Sequence, residues 1–289
     1  MKDADQLYRF LFENQNIRGE FVQLEATWRD VLERAHYPAP VKTVLGEALA
    51  SAALLVATLK IKGSLTLQVR GSGPMHLLVV QAFSDGSVRG LARWCGDVSP
   101  GALAQLTGSG QLVMTIDPDE GERYQGIVPL MGDYLHDALQ HYFDQSEQLP
   151  TRLWLSAGDE VAAGLLLQAL PGDSEDDDSW NRVSRLSETV TDRELQKLDV
   201  ETLLRRLYHE EEVRLFKPRP VTFSCTCSRE KIISTLRQLG ETEINSIVEE
   251  QGQLEVDCEF CGARYHFDVL DVKALFVTEG FPLQSDTLQ

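Results

Sequence analysis

The period of apolar and polar positions changes several times along this chain, and each change marks an element. Val41 to Lys60 is almost uniformly apolar and rich in Ala and Leu, which predicts a helix buried on most sides. The period then falls to two. Leu65, Leu67 and Val69 alternate with Thr66, Gln68 and Arg70, as a half-buried strand requires. Gly71-Ser72-Gly73-Pro74 turns the chain into a continuous apolar run from Leu77 to Phe83. Asp85-Gly86 is a hairpin turn, from which Val88 to Trp94 returns. A second hairpin alternates Leu112, Met114 and Ile116, turns at 117–121, and comes back over Tyr124 to Leu130. Asp133 to Gln145 places Leu135, Ala138, Leu139 and Tyr142 on one helical face, and Leu153 to Leu155 and Val161 to Leu170 read as strands.

The ends of this region are less regular. Ile17 to Thr27 reads as a strand around Phe21-Val22-Gln23-Leu24, whereas Asp5 to Asn14 fits a helix or an ordered arm. Residues 1–178 are therefore expected to form one α+β domain on an antiparallel sheet with packed helices. The run Pro171 to Asp178 combines a helix breaker, a turn residue and acidic charge, and reads as a solvated boundary loop. Calcium binding is the alternative there, although the glycine and terminal glutamate of an EF-hand loop are missing.

Residues 179–220 return to a helical period. Thr191 with Glu194 fits a capping box. Leu195, Leu198, Leu203, Leu204 and Leu207 fall near one face, and the segment ends before Pro218 and Pro220. This is an amphipathic helical linker, either packed for stability or a movable cover over a binding surface. In the last segment, 221–289, Ser228 to Leu239 is helical with Ile232, Ile233, Leu236 and Leu239 inward and Gly240 as C-cap. Leu254 and Val256 lead into a hairpin whose second arm is Tyr265 to Val269.

That last segment holds four of the five cysteines, as Cys225-x-Cys227 and Cys258-x-x-Cys261-Gly262 with thirty residues between the pairs. A C-x-x-C followed by Gly is a zinc knuckle pattern, because two thiolates converge on one ion while the small residue tightens the turn. The same four residues could instead form two local disulfides, the C-x-C one strained. A constitutive structural clamp and a redox switch are equally compatible with the spacing. A segment of this size with so few core positions is marginal without a staple, so a Zn²⁺ site would supply its fold. His266 lies close enough to replace one thiolate. Cys95, beside Trp94, reads as a packed thiol, and His136 and His141 are five apart and do not share a helical face for a metal.

Composition narrows the class. The chain has 289 residues and 43% hydrophobic residues, enough for a large domain and a smaller one. With 27 basic and 45 acidic side chains its formal charge is −18, which argues against nucleic acid as a partner. No apolar run free of charge is long enough to span a membrane, and the N-terminus lacks a signal-peptide pattern. The expectation is a cytoplasmic protein in a reducing compartment, where permanent disulfides are rare. No phosphate-binding G-x-x-x-x-G-K-[ST] loop, G-x-S-x-G elbow or H-E-x-x-H helix is present, so no enzymatic activity is expected.

The paired cysteines, together with Gly46 to Ala50, Leu65 to Gly73, Tyr124 to Leu130 and Tyr142 to Pro150, resemble the heat-shock protein 33 family of redox-regulated chaperones over essentially the whole chain. The resemblance implies an ATP-independent holdase whose Cys225, Cys227, Cys258 and Cys261 bind one Zn²⁺ when reduced. On oxidation it implies Cys225–Cys227 and Cys258–Cys261 disulfides, metal release, unfolding of the 221–289 switch domain and of the 179–220 linker, and exposed apolar surface. It further implies client binding and dimerisation through 1–178, unfolding proteins as partners, an oxidised homodimer, and reductants of the thioredoxin or glutaredoxin type. A thiol–disulfide oxidoreductase using Cys258 and Cys261, and a constitutive zinc module, are the competing readings.

Overall fold

The computed structural model describes residues 4–60, 62–146, 149–172, 176 and 178–276. The chain divides into two compact units, Met1–Ser224 and Cys225–Gln289.

The first unit begins with the antiparallel pair β1 (Gln6–Phe12) and β2 (Ile17–Leu24), the short helix α1 (Ala26–Leu32) and the long helix α2 (Ala39–Thr58). Strands β3 (Gly63–Gly71), β4 (Met75–Phe83) and β5 (Ser87–Trp94) follow as a meander. Helix α3 (Leu103–Thr107) leads to the hairpin β6 (Gly110–Pro118) and β7 (Tyr124–Pro129). Helix α4 (Leu135–Ser146) precedes β8 (Thr151–Ala157) and β9 (Ala162–Ala169). Helices α5 (Ser179–Ser187), α6 (Asp192–Lys197) and α7 (Val200–Tyr208) come next, then the short strands β10 (Val213–Leu215), β11 (Arg219–Pro220) and β12 (Thr222–Phe223). Two six-stranded sheets result, not one. The first runs β10-β1-β2-β9-β8 with β11 also on β1, and the second runs β12-β5-β4-β3-β6-β7. All described pairings are antiparallel except β12 on β5.

Helix α2 lies between the sheets because its apolarity has no preferred side. Leu45, Leu49, Ala52 and Leu54 are fully buried, in one cluster with Val22, Leu24 and Leu166 of the first sheet and Leu65, Leu67 and Val80 of the second. Gly46 permits the close approach: a Cβ there would stand 2.5 Å from the Ala157 Cβ. α2 is long and apolar enough to cross a membrane by length and composition alone, Glu47 notwithstanding, but 72% of its most apolar window is buried as core.

The outer face of the first sheet carries Tyr8, Phe10, Phe12, Phe21, Leu165 and Leu167, and α5–α7 cover it with Val183, Leu195, Leu203, Leu207 and Tyr208. The first sheet is thus buried on both faces. This corrects the helix-or-arm reading of 5–14: β1 is a strand with Tyr8, Phe10 and Phe12 on one face and Leu7 and Leu11 flanking Arg9 on the other, so the alternation is blurred. Residues 179–208 are helical, in three segments, α5 to α7. The capping box is present, with Thr191 Oγ1 accepting from the Glu194 N–H and the Glu194 carboxylate accepting from the Thr191 N–H. Gln23 Nε2 donates to the carbonyls of Leu195 and Leu198 at 2.7 and 2.8 Å, tying this layer to β2. Val221 to Ser224 join the first unit, because Val221 is buried and β12 pairs with β5. Of the acidic run considered for calcium, residues 173–175 and 177 lie outside the described residues.

Glu20 on β2 is 1% exposed, and neither carboxylate oxygen has a hydrogen-bond partner. Burial raises its pKa from the ordinary 4.5 to about 8, against the opposing pull of Arg18, Arg9 and Arg219. An unfolded chain loses this proton near its ordinary value while the folded one retains it. Stability therefore falls as pH rises through that window and levels off above the folded pKa. Relative to the parent, Glu20→Gln is expected to gain roughly 3 kcal/mol between mildly acidic and neutral pH. Denaturant midpoints of both proteins across a pH series measure this. Parallel curves would show that Glu20 is not held protonated.

The second unit contains α8 (Arg229–Leu239), α9 (Glu241–Gln251), the hairpin β13 (Leu254–Asp257) and β14 (Arg264–Phe267), and α10 (Val269–Phe276). Ser228 caps α8 and Gly240 ends it in a left-handed conformation. Its core is small: Leu236, Ile244, Val248, Leu254, Phe267, Val272 and Leu275. Leu239, expected inward, is 54% exposed. The chain turns at Gly240 into α9, and Ile244 and Val248 supply apolar contacts from there instead.

Candidate metal centre

The two cysteine pairs are presented by different local structures. Cys225 and Cys227 lie on the extended stretch just before Ser228 caps α8. Cys258 and Cys261 occupy the turn of the β13–β14 hairpin. There the Gly262 N–H donates to the Cys258 carbonyl at 2.7 Å and the Cys258 N–H donates to the Ala263 carbonyl at 2.8 Å. Gly262 has φ +71°, a left-handed backbone that a side chain would strain. The hairpin is braced by Arg264, whose guanidinium donates to both carboxylate oxygens of Asp257 at 2.8 and 3.2 Å. Arg229 ties α8 to β14 and α10: it donates to the His266 carbonyl and to Asp271, both at 2.8 Å, and stacks 4.2 Å from the Phe267 ring centroid.

These elements bring all four sulfurs within 4.8 Å of one another, with each residue half-buried. Cys225 Sγ is 3.6 Å from Cys258 Sγ, and Cys227 Sγ is 3.4 Å from Cys261 Sγ. Sulfurs at the corners of a tetrahedron with metal–sulfur bonds of ~2.3 Å would be about 3.8 Å apart. The cluster therefore fits a metal ion. The sulfurs are free thiols, far beyond the ~2.05 Å of a disulfide. Burial pushes the Cys258 thiol pKa up and that of Cys261 to about 12. Packed together without a cation, thiolates would repel, so a cation is what would favour their ionised form.

Tyr265 adds a group that the sequence reading assigned only to the hairpin arm. Its hydroxyl donates to Cys227 Sγ at 3.1 Å, and this hydrogen bond raises the phenol pKa to about 12. The signal was available in part: a residue on the second arm of a knuckle hairpin can reach back to the sulfur cluster. Groups that hydrogen-bond metal ligands orient them and tune their basicity. Tyr265→Phe is expected to weaken metal binding by about tenfold while leaving the fold intact, as read by competition with a chromophoric chelator. An unchanged affinity would reduce the hydroxyl to a bystander.

The other candidates lie elsewhere. His266 is exposed and faces Glu255, Nδ1 to Oε1 at 3.3 Å, outside the sulfur cluster. His136 stacks on Tyr134, and His141 contacts Gln145. Cys95 is exposed, not packed. At the end of β5 Trp94 turns inward against the core and packs at a tilt against Tyr37, so the strand alternation carries Arg93 and Cys95 outward.

Comparison with known proteins agrees over nearly the whole chain. A family model described as "Hsp33 protein" matches residues 5–268. The 33 kDa chaperonin of Nitrosococcus oceani is 51% identical, covering 96% of this chain and 96% of that protein. The 33 kDa chaperonin of Shewanella sediminis is 47% identical, covering 94% and 96% respectively. Among solved structures, the 33 kDa chaperonin (heat shock protein 33 homolog) of Thermotoga maritima superposes with a TM-score of 0.81 at 24% identity, covering 94% of this chain and 98% of that one. At that identity the likeness speaks for the fold.

Proposed function

The chain belongs to the Hsp33 chaperone family, and from that premise we propose a redox-controlled, ATP-independent holdase of the cytoplasm that keeps unfolding proteins from aggregating under oxidative stress. The observation that carries the reading is the cluster of four sulfurs on a unit with a very small core. In the reduced state Cys225, Cys227, Cys258 and Cys261 bind one Zn²⁺. When bound, the ion supplies four metal–sulfur bonds, keeps the sulfurs deprotonated, and contributes folding free energy to 225–289.

Oxidation is chemistry of the cysteines themselves. Peroxide converts one thiolate to a sulfenic acid, releasing water after protonation. A neighbouring sulfur displaces the second water and a disulfide forms. Each disulfide consumes one peroxide and two thiols and yields two waters. The family resemblance supports pairing Cys225 with Cys227 and Cys258 with Cys261, although the 3.4 and 3.6 Å contacts run between the pairs. Short sequence separation favours the local pairs once the unit opens, because closing a small loop costs little entropy.

Loss of the staple melts the small unit, and the α5–α7 layer then loosens from the first sheet. Two apolar faces that are buried together in the reduced form, one on 179–208 and one on β1, β2 and β9, become the surface for clients and for a homodimer. Thioredoxin-like or glutaredoxin-like reductants reset the thiols. The process is binding without turnover.

The test treats the reduced, zinc-loaded chain with peroxide at a mildly raised temperature while zinc release and aggregation of an unfolded client are followed in one sample. One zinc released per chain, together with new suppression of aggregation, is expected. Metal retained under oxidation, or lost with no gain in protection, would leave a structural module and remove the switch.

A further inference from the structure

The first unit contains a cavity of about 830 Å³ that the chaperone reading does not use. Its size lies within the ~300–1,000 Å³ of small-molecule sites. Arg9 of β1, Lys60 and Lys62 at the passage from α2 to β3, and Arg219 of β11 line it, against two carboxylates, Asp85 and Asp119. None of the four cations makes an ion pair or a side-chain hydrogen bond among the described residues. Asp85 is already engaged, its Oδ1 accepting from the Ser87 N–H at 2.8 Å and the Ser87 hydroxyl at 2.6 Å. Four unpaired cations sharing one cavity is a local reversal of sign in a chain of formal charge −18.

The nearest buried carboxyl does not neutralise them. Glu20 stands opposite Arg9 in the β1–β2 register and feels Arg9 and Arg219, yet burial holds it largely protonated near neutral pH. Apart from Ser84 and two glycines, the rest of the wall is apolar, with Val56, Ala57 and Phe83 among its residues. Low-dielectric walls around like charges focus the field on whatever enters. A ligand matched to this cavity carries at least two negative charges and an apolar body.

We propose that this cavity binds a small organic polyphosphate, of which a nucleoside triphosphate is the representative chemistry, as a ligand and not as a fuel. The chain lacks a phosphate loop for hydrolysis, so no turnover accompanies binding. Arg219 and Val221 on the cavity wall belong to the stretch that ends just before Cys225. This stretch is held by the Val221 N–H on the Asp5 carbonyl at 2.9 Å and the Thr222 N–H on the Gly86 carbonyl at 3.0 Å. A ligand that binds only the assembled cavity stabilises that docking. The inference is independent of whether the sulfur cluster takes a metal.

The experiment is calorimetric titration of the full, reduced chain at low ionic strength with magnesium-free ATP and, separately, inorganic triphosphate. One ATP per chain is expected, with a dissociation constant on the order of micromolar, weakening as salt is added. The exposed pair Lys60→Ala/Lys62→Ala should lose about tenfold or more in affinity. Lys42→Ala, at the other end of α2 beside Asp159, should lose nothing. Protection of the 216–224 stretch from protease on saturation with ATP is the second expected readout. The absence of saturable binding, or equal affinity in the Lys60/Lys62 variant, overturns the site. Inorganic triphosphate binding as tightly as ATP overturns the assignment of an organic ligand.

Discussion

Stripping bound metal from the reduced protein with a strong chelator is expected to unfold residues 225–276 while the sheets and α2 of the first unit keep their structure. Among its described residues the second unit has seven buried apolar side chains, a hairpin of two four-residue strands, and three helices of eight to eleven residues. Isolated helices of that length are marginal in water, and a lone two-stranded hairpin is no better. A structural zinc site contributes roughly 10–16 kcal/mol of apparent folding free energy at neutral pH, more than such a core can replace. The first unit has two large apolar clusters, neither of which contains any of the four paired cysteines. Hydrogen exchange read by peptide separates the two outcomes: after chelation, amides of α8–α10 should lose protection while those of α2, β3 and β9 keep theirs. Cys258→Ser should reproduce the effect, because three thiolates and a hydroxyl hold the ion far more weakly. Retained protection in the metal-free second unit would show that its apolar core is sufficient, and oxidation could not then work through loss of a staple.

The parts of this molecule legible from sequence are those whose cause is local. Thr191 with Glu194, Ser228 before α8, Gly240 after it, and the Cys258-x-x-Cys261-Gly262 knuckle each depend on groups a few residues apart, and each is found in place. α2 was legible because uniform apolarity over that length has few other uses. β1 was not. Tyr8, Phe10 and Phe12 face one layer, and Leu7 and Leu11 lie on the other face with Arg9 as its one charged residue, so the alternation that identifies a strand is weak where both faces carry apolar side chains. β10, β11 and β12 are two or three residues long, and their partners β1 and β5 lie more than a hundred residues away in sequence. α9 has three apolar residues, Ile244, Ile247 and Val248, in an otherwise polar stretch, and a single turn at helical spacing is too short to establish a period. At the sulfur cluster the residue types and their spacing pointed to a shared site, and the four sulfurs do come together. Tyr265 acquires its role only when the hairpin register turns its hydroxyl back to Cys227. The cavity beside Arg9 and Arg219 is assembled from segments more than two hundred residues apart and has no sequence signature at all.

Replacing Leu203 and Leu207 by Ala together is expected to detach α5–α7 from the first sheet without touching a cysteine. Leu203 is 0% and Leu207 6% exposed, in one cluster with Phe10, Phe12 and Phe21. Tyr208 packs edge-on to Phe12, ring centroids 4.9 Å apart, and its hydroxyl is 2.6 Å from Ser187 Oγ inside the same layer. Each large-to-small change in such a site costs about 2–5 kcal/mol, so the pair removes roughly 4–10 kcal/mol. That exceeds what three short helices held by one apolar face can lose and stay docked, since the polar anchors are few: chiefly Gln23 on the Leu195 and Leu198 carbonyls, Gln196 on the Ser156 hydroxyl and Lys197 on Glu160. β1, β2, β8 and β9 remain packed on α2 through the opposite face of the sheet, so the first unit should stay folded. If the apolar face under α5–α7 is the client surface, the reduced, zinc-loaded variant should suppress aggregation without any oxidant, and its metal content should stay at one per chain. Undocking with no gain in client protection would place the client surface elsewhere and separate the fate of this layer from chaperone activity. A variant that stays docked, with α5–α7 amides as protected as in the parent, would show that the polar anchors suffice to hold the cover.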